Sequence, residues 1–226
     1  MKIAIISDIH SNLEALETVL KEIDKMKIQT IFCVGDVVGY SANPNEVVEE
    51  LRKRNITSVM GNHDYAVANL NTTWFNTYAA QAIWWTIENL KTENSKFIKS
   101  LPEKNEMKLK DYKTLIVHGS PRNPIWEYIY PIDVNSDFVK NLDYDIIVMG
   151  HTHIPFVKKV ANKLVLNPGS VGQPRDSDPK ASFAIIDVDK FSAKIIRLDY
   201  NIETASKKII KAGLPEFLAL RLQSGI

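Results

Sequence analysis

Five short apolar runs in this chain end in residues that bind metals or move protons, and no other feature restricts the fold as tightly. Lys2 to Ser7 ends at Asp8-Ile9-His10, and Thr30 to Val34 ends at Gly35-Asp36. Ile56 to Met60 leads into Gly61-Asn62-His63-Asp64, which reads as a loop delivered by a strand. Thr114 to Val117 ends at His118-Gly119-Ser120, and Asp145 to Met149 ends at Gly150-His151-Thr152-His153. Apolar runs of this length, bounded by turn residues, read as buried strands. In an α/β sheet, polar groups at the carboxyl ends of strands converge on one crevice. All five histidines of the chain lie in this set. Histidines placed for bulk packing would also fall on helices and remote loops.

The segments between these runs supply helices. Leu13, Leu16, Val19, Leu20 and Ile23 share one helical face, capped by Ser11 or Asn12. Asn43 suits a second N-cap and Pro44 the first helical position, ahead of Val47, Val48 and Leu51. Strands alternating with helices imply a parallel sheet covered by helices. Thr72 to Leu101 breaks that rhythm, with Trp74, Phe75, Tyr78, Trp84 and Trp85 among Ile83, Ile87 and Leu90. The spacing predicts one long helix, Thr72 to Leu90, and a shorter one ending near Pro102. Its aromatic residues read as packing, because no basic stripe accompanies them.

Beyond Met107 the pattern turns β-rich. Hairpins are expected around Asp111-Tyr112, at Ala161-Asn162, and between the runs Ala181 to Val188 and Ser192 to Leu198. A helix is expected from Asn135 to Leu142, and two more from about Glu203 and from Pro215. Between the last two hairpins lies the Gly/Pro-rich loop Asn167 to Arg175. The expectation is an α/β fold formed as a single domain, residues 1–226, with a helical cap insertion at about 66–102.

Composition excludes several classes. The 28 Lys and Arg nearly balance 27 Asp and Glu, so no charge excess announces a nucleic-acid partner. A single cysteine, Cys33, sits in the apolar run Ile31 to Val34, which makes it a buried thiol and precludes an internal disulfide. No run approaches the roughly 20 apolar residues of a membrane span. The Ile3 to Ile6 run is short and leads into Ser7-Asp8 rather than into a leader sequence, so the expected location is the cytoplasm.

The polar set mixes imidazole, carboxylate and one amide, with no thiolate, which argues against a structural zinc site. Such donors suit Mn, Fe or Zn, and ligand type alone does not separate these. They are too many for one ion and enough for two sharing a carboxylate, the clamp used for phosphoryl transfer to water. In Asp8-x-His10 and His151-x-His153 an extended backbone would point both members of each pair to one side.

Taken together, Asp8-x-His10, Gly35-Asp36-x-x-Gly39, Gly61-Asn62-His63-Asp64, Val117-His118-Gly119 and Gly150-His151-x-His153 resemble the motifs of the calcineurin-like metallophosphoesterases. The details, including the Asn167-Pro168-Gly169-Ser170 start of the Gly/Pro loop, look like the compact bacterial and archaeal phosphodiesterase-like branch. The resemblance implies a four-layer α/β/β/α sandwich. It implies that Asp8, His10 and His153 hold one divalent ion, that Asn62, His118 and His151 hold a second, and that Asp36 bridges them. The ions would be Mn, Fe, Ni or Zn, with a hydroxide between them as nucleophile. It implies that His63 is a catalytic non-ligand and that Asp64 orients it. Met60 before Gly61, and Gly39-Tyr40 after the second motif, depart from the pattern of protein Ser/Thr phosphatases.

The expected activity is hydrolysis of phosphodiester or phosphomonoester bonds in small substrates. Hydrolysis of nucleotides or dinucleoside polyphosphates, a non-catalytic scaffold and a nuclease are the competing readings. No nucleic-acid or membrane partner is expected, and homo-oligomerisation is left open. Arg122 and Arg175 are candidate phosphate clamps, since a guanidinium matches phosphate geometry, with a solvated loop arginine as the competing reading. Trp126, Tyr128 and Tyr130 read as cap core or a dimer surface in preference to a pocket wall.

Overall fold

Alternation in the first strand sets the architecture. In β1 (Lys2–Ile6), Ile3 and Ile5 point to one face, Ala4 and Ile6 to the other, and all are buried. A strand buried on both faces needs a layer on each side. The computed structural model describes all 226 residues and supplies those layers. On one side lies α1 (Leu13–Lys25), whose Asn12 cap accepts a hydrogen bond from the Ala15 N–H. Next come β2 (Ile31–Cys33), α2 (Pro44–Lys53) and the two-residue β3 (Thr57–Ser58). Pro44 takes the first position of α2, but the Asn43 side chain makes no capping bond.

Three helices come next: α3 (Asn62–Asn69), α4 (Thr77–Asn89) and α5 (Thr92–Lys99). The helix expected from Thr72 thus begins at Thr77, where Asn76 caps it. The second half of the chain adds β4 (Lys104–Leu109), β5 (Tyr112–Val117), α6 (Ser136–Val139) and β6 (Ile146–Val148). It continues with β7 (Phe156–Val160), β8 (Lys163–Asn167), β9 (Ala181–Asp187) and β10 (Ser192–Leu198). It closes with α7 (Ile202–Lys211) and α8 (Glu216–Ser224). The helix expected over Asn135 to Leu142 shrinks to the four residues of α6. Ala161 and Asn162 both take positive φ, as the tight turn between β7 and β8 requires.

The strands form two mixed five-stranded sheets, ordered β10-β9-β1-β2-β3 and β4-β5-β6-β8-β7. The pairs β1–β2, β2–β3, β5–β6 and β6–β8 are parallel. The two sheets face each other through Ile3, Ile5 and Ile186 on one side and Ile116, Val148 and Leu166 on the other. Ala4 and Ile6 pack outward against Leu16, Leu20 and Val47 of α1 and α2. Outside the second sheet, Leu115 and Ile147 meet Ile129, Val134 and Val139, so that layer is mostly loop. Ile83 of α4 and Ile98 of α5 join the core under α1 and α2, while Ala79 and Ala82 pack with Leu218 and Leu222 of α8. Every parallel strand delivers its carboxyl end to the same rim of the sandwich. No helix is long and apolar enough to cross a membrane.

Candidate metal centre

At that rim the backbone takes an unusual path. Asp8, His10, Asp36, His151 and His153 have φ of 52°, 49°, 50°, 67° and 60°. A left-handed conformation costs a residue with a Cβ roughly 1–2 kcal/mol, and such residues concentrate at functional sites. The neighbouring loops hold them there. Asp8 N–H donates to Gly35 O, His10 N–H to Asp36 O and Gly150 N–H to His118 O, at 3.0, 3.0 and 2.9 Å. The pairs Asp8/His10 and His151/His153 therefore do not converge through extended alternation, as the spacing suggests. They converge because each member sits in its own tight turn.

The result is two adjoining clusters of buried ligand atoms. Asp8, His10, Asp36 and His153 form one, and Asp36, His118 and His151 the other, with the atoms of each within 4.8 Å of one another. Asp36 belongs to both. Its Oδ1 accepts from the His63 N–H at 2.8 Å. Its Oδ2 lies 3.5 Å from His10 Nε2 and 3.4 Å from His118 Nε2, between the clusters.

Tautomers decide what these clusters want. His10 Nδ1 faces Val38 O at 3.2 Å, and His153 Nδ1 faces Gln173 O, so both Nδ1 atoms carry hydrogen. In the neutral rings the lone pairs of His10 Nε2 and His153 Nε2 then meet at 3.2 Å. Asp8 Oδ1, 3.2 Å from His153 Nε2, is buried without a hydrogen-bond partner. The other cluster brings similar atoms together, but one of its rings, His118, holds a proton. His118 Nδ1 donates to Val34 O at 2.8 Å, and His151 Nε2 faces Trp126 O at 3.3 Å. His118 Nε2 lies 3.1 Å from both His151 Nδ1 and Asn62 Oδ1, two acceptors that a proton on His118 or a cation in its place would satisfy. Acceptors buried against acceptors repel unless a cation lies between them. The donor set fits a divalent ion in each cluster.

The electrostatics agree. Burial opposes ionisation of Asp36, yet His118 and His63 hold its carboxyl well below the usual range. Burial also lowers His10, His153 and His151, the last to about 3, so these rings are neutral at pH 7 and free to ligate. For His118 the desolvation is outweighed by Asp36 and Asp8, which lift it to about 9. A proton on that ring offsets the same negative charge that a cation would.

His63 stands beside both clusters. Its ring packs 4.4 Å from Tyr40, 4.7 Å from His10 and 4.9 Å from Phe75, centroid to centroid. A Cβ at Gly39, whose φ is 100°, would lie 2.5 Å from His63 Nδ1, so glycine there makes room for the ring. Burial, reinforced by Arg175 and the neighbouring imidazoles, depresses its pKa to about 4 against the pull of Asp36.

Asp64 does not orient His63. Residues Asn62 to Asp64 are the first turn of α3 rather than a loop, and the Asp64 carboxylate turns back toward the helix start. It accepts from the N–H groups of Gly61, Val37 and Val38 at 3.0 to 3.1 Å and leaves His63 Nδ1 without a partner. Its role is to tie the Gly35–Gly39 loop to α3. Burial and Asp36 raise its pKa to about 7 against those three donors.

A cavity of about 260 Å³ opens over the clusters, with Asp36, Asn62, His63, His151 and His153 on its floor. Tyr40, Phe75, Trp126, Tyr128, Arg175 and Arg221 are among its walls. Trp126 and Tyr128 thus line the pocket, Trp126 while also packing on the core beside Tyr65 and Phe75, and Tyr128 stacks on His151 at 3.7 Å. Tyr130 lies outside, half-exposed and parallel to Tyr128. Arg122 does not reach this cavity. Glu127 holds its guanidinium at 2.7 Å on the surface, which corrects its assignment as a clamp. Arg175 does reach it. Arg221 of α8 escapes sequence reasoning; an arginine between Leu220 and Leu222 is the one signal of it.

Comparison with known proteins places the fold among solved structures and the sequence within a family. The sequence pattern of the calcineurin-like phosphoesterase superfamily domain matches residues 1–191. An uncharacterized protein of Methanocaldococcus jannaschii is 47% identical over 99% of this chain and 98% of its own length. A phosphodiesterase of Escherichia coli is 25% identical over 85% of this chain and 90% of its own. The crystal structure of a metallophosphoesterase from Sphaerobacter thermophilus superposes with a TM-score of 0.84 at 39% identity, covering 100% of this chain and 99% of that one.

Proposed function

The chain belongs to the calcineurin-like phosphoesterase superfamily, and on that premise we propose that it hydrolyses phosphate esters of small molecules at a dinuclear metal centre. The observation that carries the proposal is the single oxygen, Asp36 Oδ2, shared by two clusters of buried ligand groups. Asp8, His10 and His153 would hold one ion, Asn62, His118 and His151 the other, and Asp36 both. Bound there, two divalent ions would lower the pKa of water to give a nucleophile at neutral pH and offset charge on the phosphoryl oxygens.

The protein's own residues do the rest. Asn62 and His63 line the cavity floor and position the phosphoryl group, and positioning is most of what phosphoryl transfer needs. His63 enters the cycle neutral. The negative charge of the bound phosphoryl group then favours its protonated form. As water adds to phosphorus and the ester P–O bond breaks, His63 gives its proton to the leaving oxygen. A cavity of about 260 Å³ suits a small substrate, and the aromatic wall of Phe75, Trp126 and Tyr128 limits water beside it.

Metal-stripped protein resupplied with Mn²⁺, Ni²⁺, Zn²⁺ or Mg²⁺ should hydrolyse bis-p-nitrophenyl phosphate or p-nitrophenyl phosphate, and the stripped protein neither. Preference for the first assigns a phosphodiesterase, and preference for the second a phosphomonoesterase. No turnover with any of the metals would overturn the catalytic reading.

A further inference from the structure

Arg175 and Arg221 come from distant parts of the chain, the loop after β8 and helix α8, yet both line the same cavity. Both approach the ring of the buried Tyr40, Arg175 with its guanidinium carbon 5.8 Å from the centroid and Arg221 with its own at 5.7 Å. Neither pairs with an Asp or Glu side chain, whereas Arg54, Arg122 and Arg197 each do. Arg175 is aimed by neutral groups. It donates to Gln173 Oε1 at 3.0 Å and to Tyr40 Oη at 3.4 Å. Arg221 donates its Nε to a main-chain oxygen of Ile226, the last residue of the sequence, at 2.6 Å, and no side-chain carboxylate pairs with its Nη groups. Burial, and then the charge of Arg175, lower its pKa.

A guanidinium such as that of Arg175, held in a half-buried cavity beside a second one and without an acidic partner of its own, is unfavourable unless an anion joins it. The metal clusters already account for a scissile phosphoryl group. Tyr40, whose ring both guanidinium groups approach, also meets the His10 ring at 4.6 Å, so the arginines lie across Tyr40 from the metal clusters while the charge of Arg175 still reaches His10 and His63. We propose that Arg175, Tyr40 and Arg221 form a second anion subsite, so that the substrate carries a phosphoryl group besides the one hydrolysed. This rests on the phosphoesterase reading and narrows its substrates to small phosphate esters with two phosphoryl groups. Guanidinium forks bind phosphate bidentately, and aromatic walls beside them suit a base or another flat group between the phosphates.

The test compares the p-nitrophenyl ester of thymidine 5′-phosphate with the same ester bearing an added 3′-phosphate. Bond and leaving group are identical, so the ratio of kcat/KM isolates the second anion. A pair of charge-assisted hydrogen bonds predicts a preference of about tenfold or more for the doubly phosphorylated ester. Arg221→Ala and Arg175→Ala should bring the ratio toward one, and Arg221→Lys should restore part of it. A wild-type ratio of one, or arginine variants that slow both esters equally and leave the ratio unchanged, would overturn the subsite. If wild type with metal hydrolyses neither ester, the catalytic reading fails, and the subsite is decided by tryptophan fluorescence alone. Thymidine 3′,5′-bisphosphate should then still bind about tenfold more tightly than thymidine 5′-phosphate, with the difference lost in Arg221→Ala. Equal affinities would refute it.

Discussion

Two side chains concentrate the chemistry of this site. Asp36 offers one oxygen to both clusters and fixes the other on the His63 N–H. His63 is set apart from the ligand groups: its Nδ1 has no partner, and its ring is placed by packing against Tyr40, His10 and Phe75. A ring placed this way can be removed without taking a ligand from either ion. His63→Ala should therefore retain the metal content of the wild type and lose turnover by about 10²-fold or more, as removal of a general acid does. Metal analysis beside a rate measurement checks this. Loss of the ions from His63→Ala would mean that the imidazole is a ligand. The residue types at the strand ends were legible in the sequence because only chemistry explains them there. Tyr40, Phe75 and Arg221 were not, since each is an ordinary residue until folding brings it to the cavity.

At the scale of elements, the notable feature is the turn that ends each strand. Five of the candidate ligand residues occupy left-handed turns directly after strands, a strained arrangement that interlocked loop hydrogen bonds sustain. Sequence spacing pointed to the right side chains through the wrong geometry, because period-two alternation holds only while the chain is extended. Helix α3 was missed for a related reason. It is eight residues long, and Tyr65, Ala66 and Val67 give no clear helical period. Its first turn matters most. Asp64 there gathers the N–H groups of Gly61, Val37 and Val38. Asp64→Ala would leave three buried donors unpaired and should cost about 3 kcal/mol or more. A lower urea midpoint at unchanged slope would show it. A midpoint within error of wild type would contradict the tying role.

The whole molecule is two sheets whose parallel strands end at one rim, so the stability of the rim and of the fold are coupled. Strand and helix alternation made a helix-covered parallel sheet legible, and the two-sheet sandwich followed only from the family resemblance. The thin outer layer over the second sheet was not legible, because Pro121 to Pro131 has no periodicity. Without a cation, the lone pairs of His10 and His153 face each other and Asp8 Oδ1 is buried without a partner. Divalent ions bind only the folded arrangement, so they should raise the melting temperature. A free concentration of 100 times the dissociation constant at one site contributes about 2.7 kcal/mol, or roughly 5–10 °C for a chain this size. A chelator should reverse the shift, and an unchanged melting temperature would contradict the coupling.

The most direct measurement is the anomalous scattering of crystals grown with Mn²⁺, for the wild type and for Asp36→Asn. The account predicts two peaks in the wild type, one among Asp8, His10 and His153 and one among Asn62, His118 and His151, with Asp36 between them. It predicts weakened occupancy of both in Asp36→Asn. A single peak in the wild type, or two full peaks in Asp36→Asn, would contradict a centre built around one shared carboxylate.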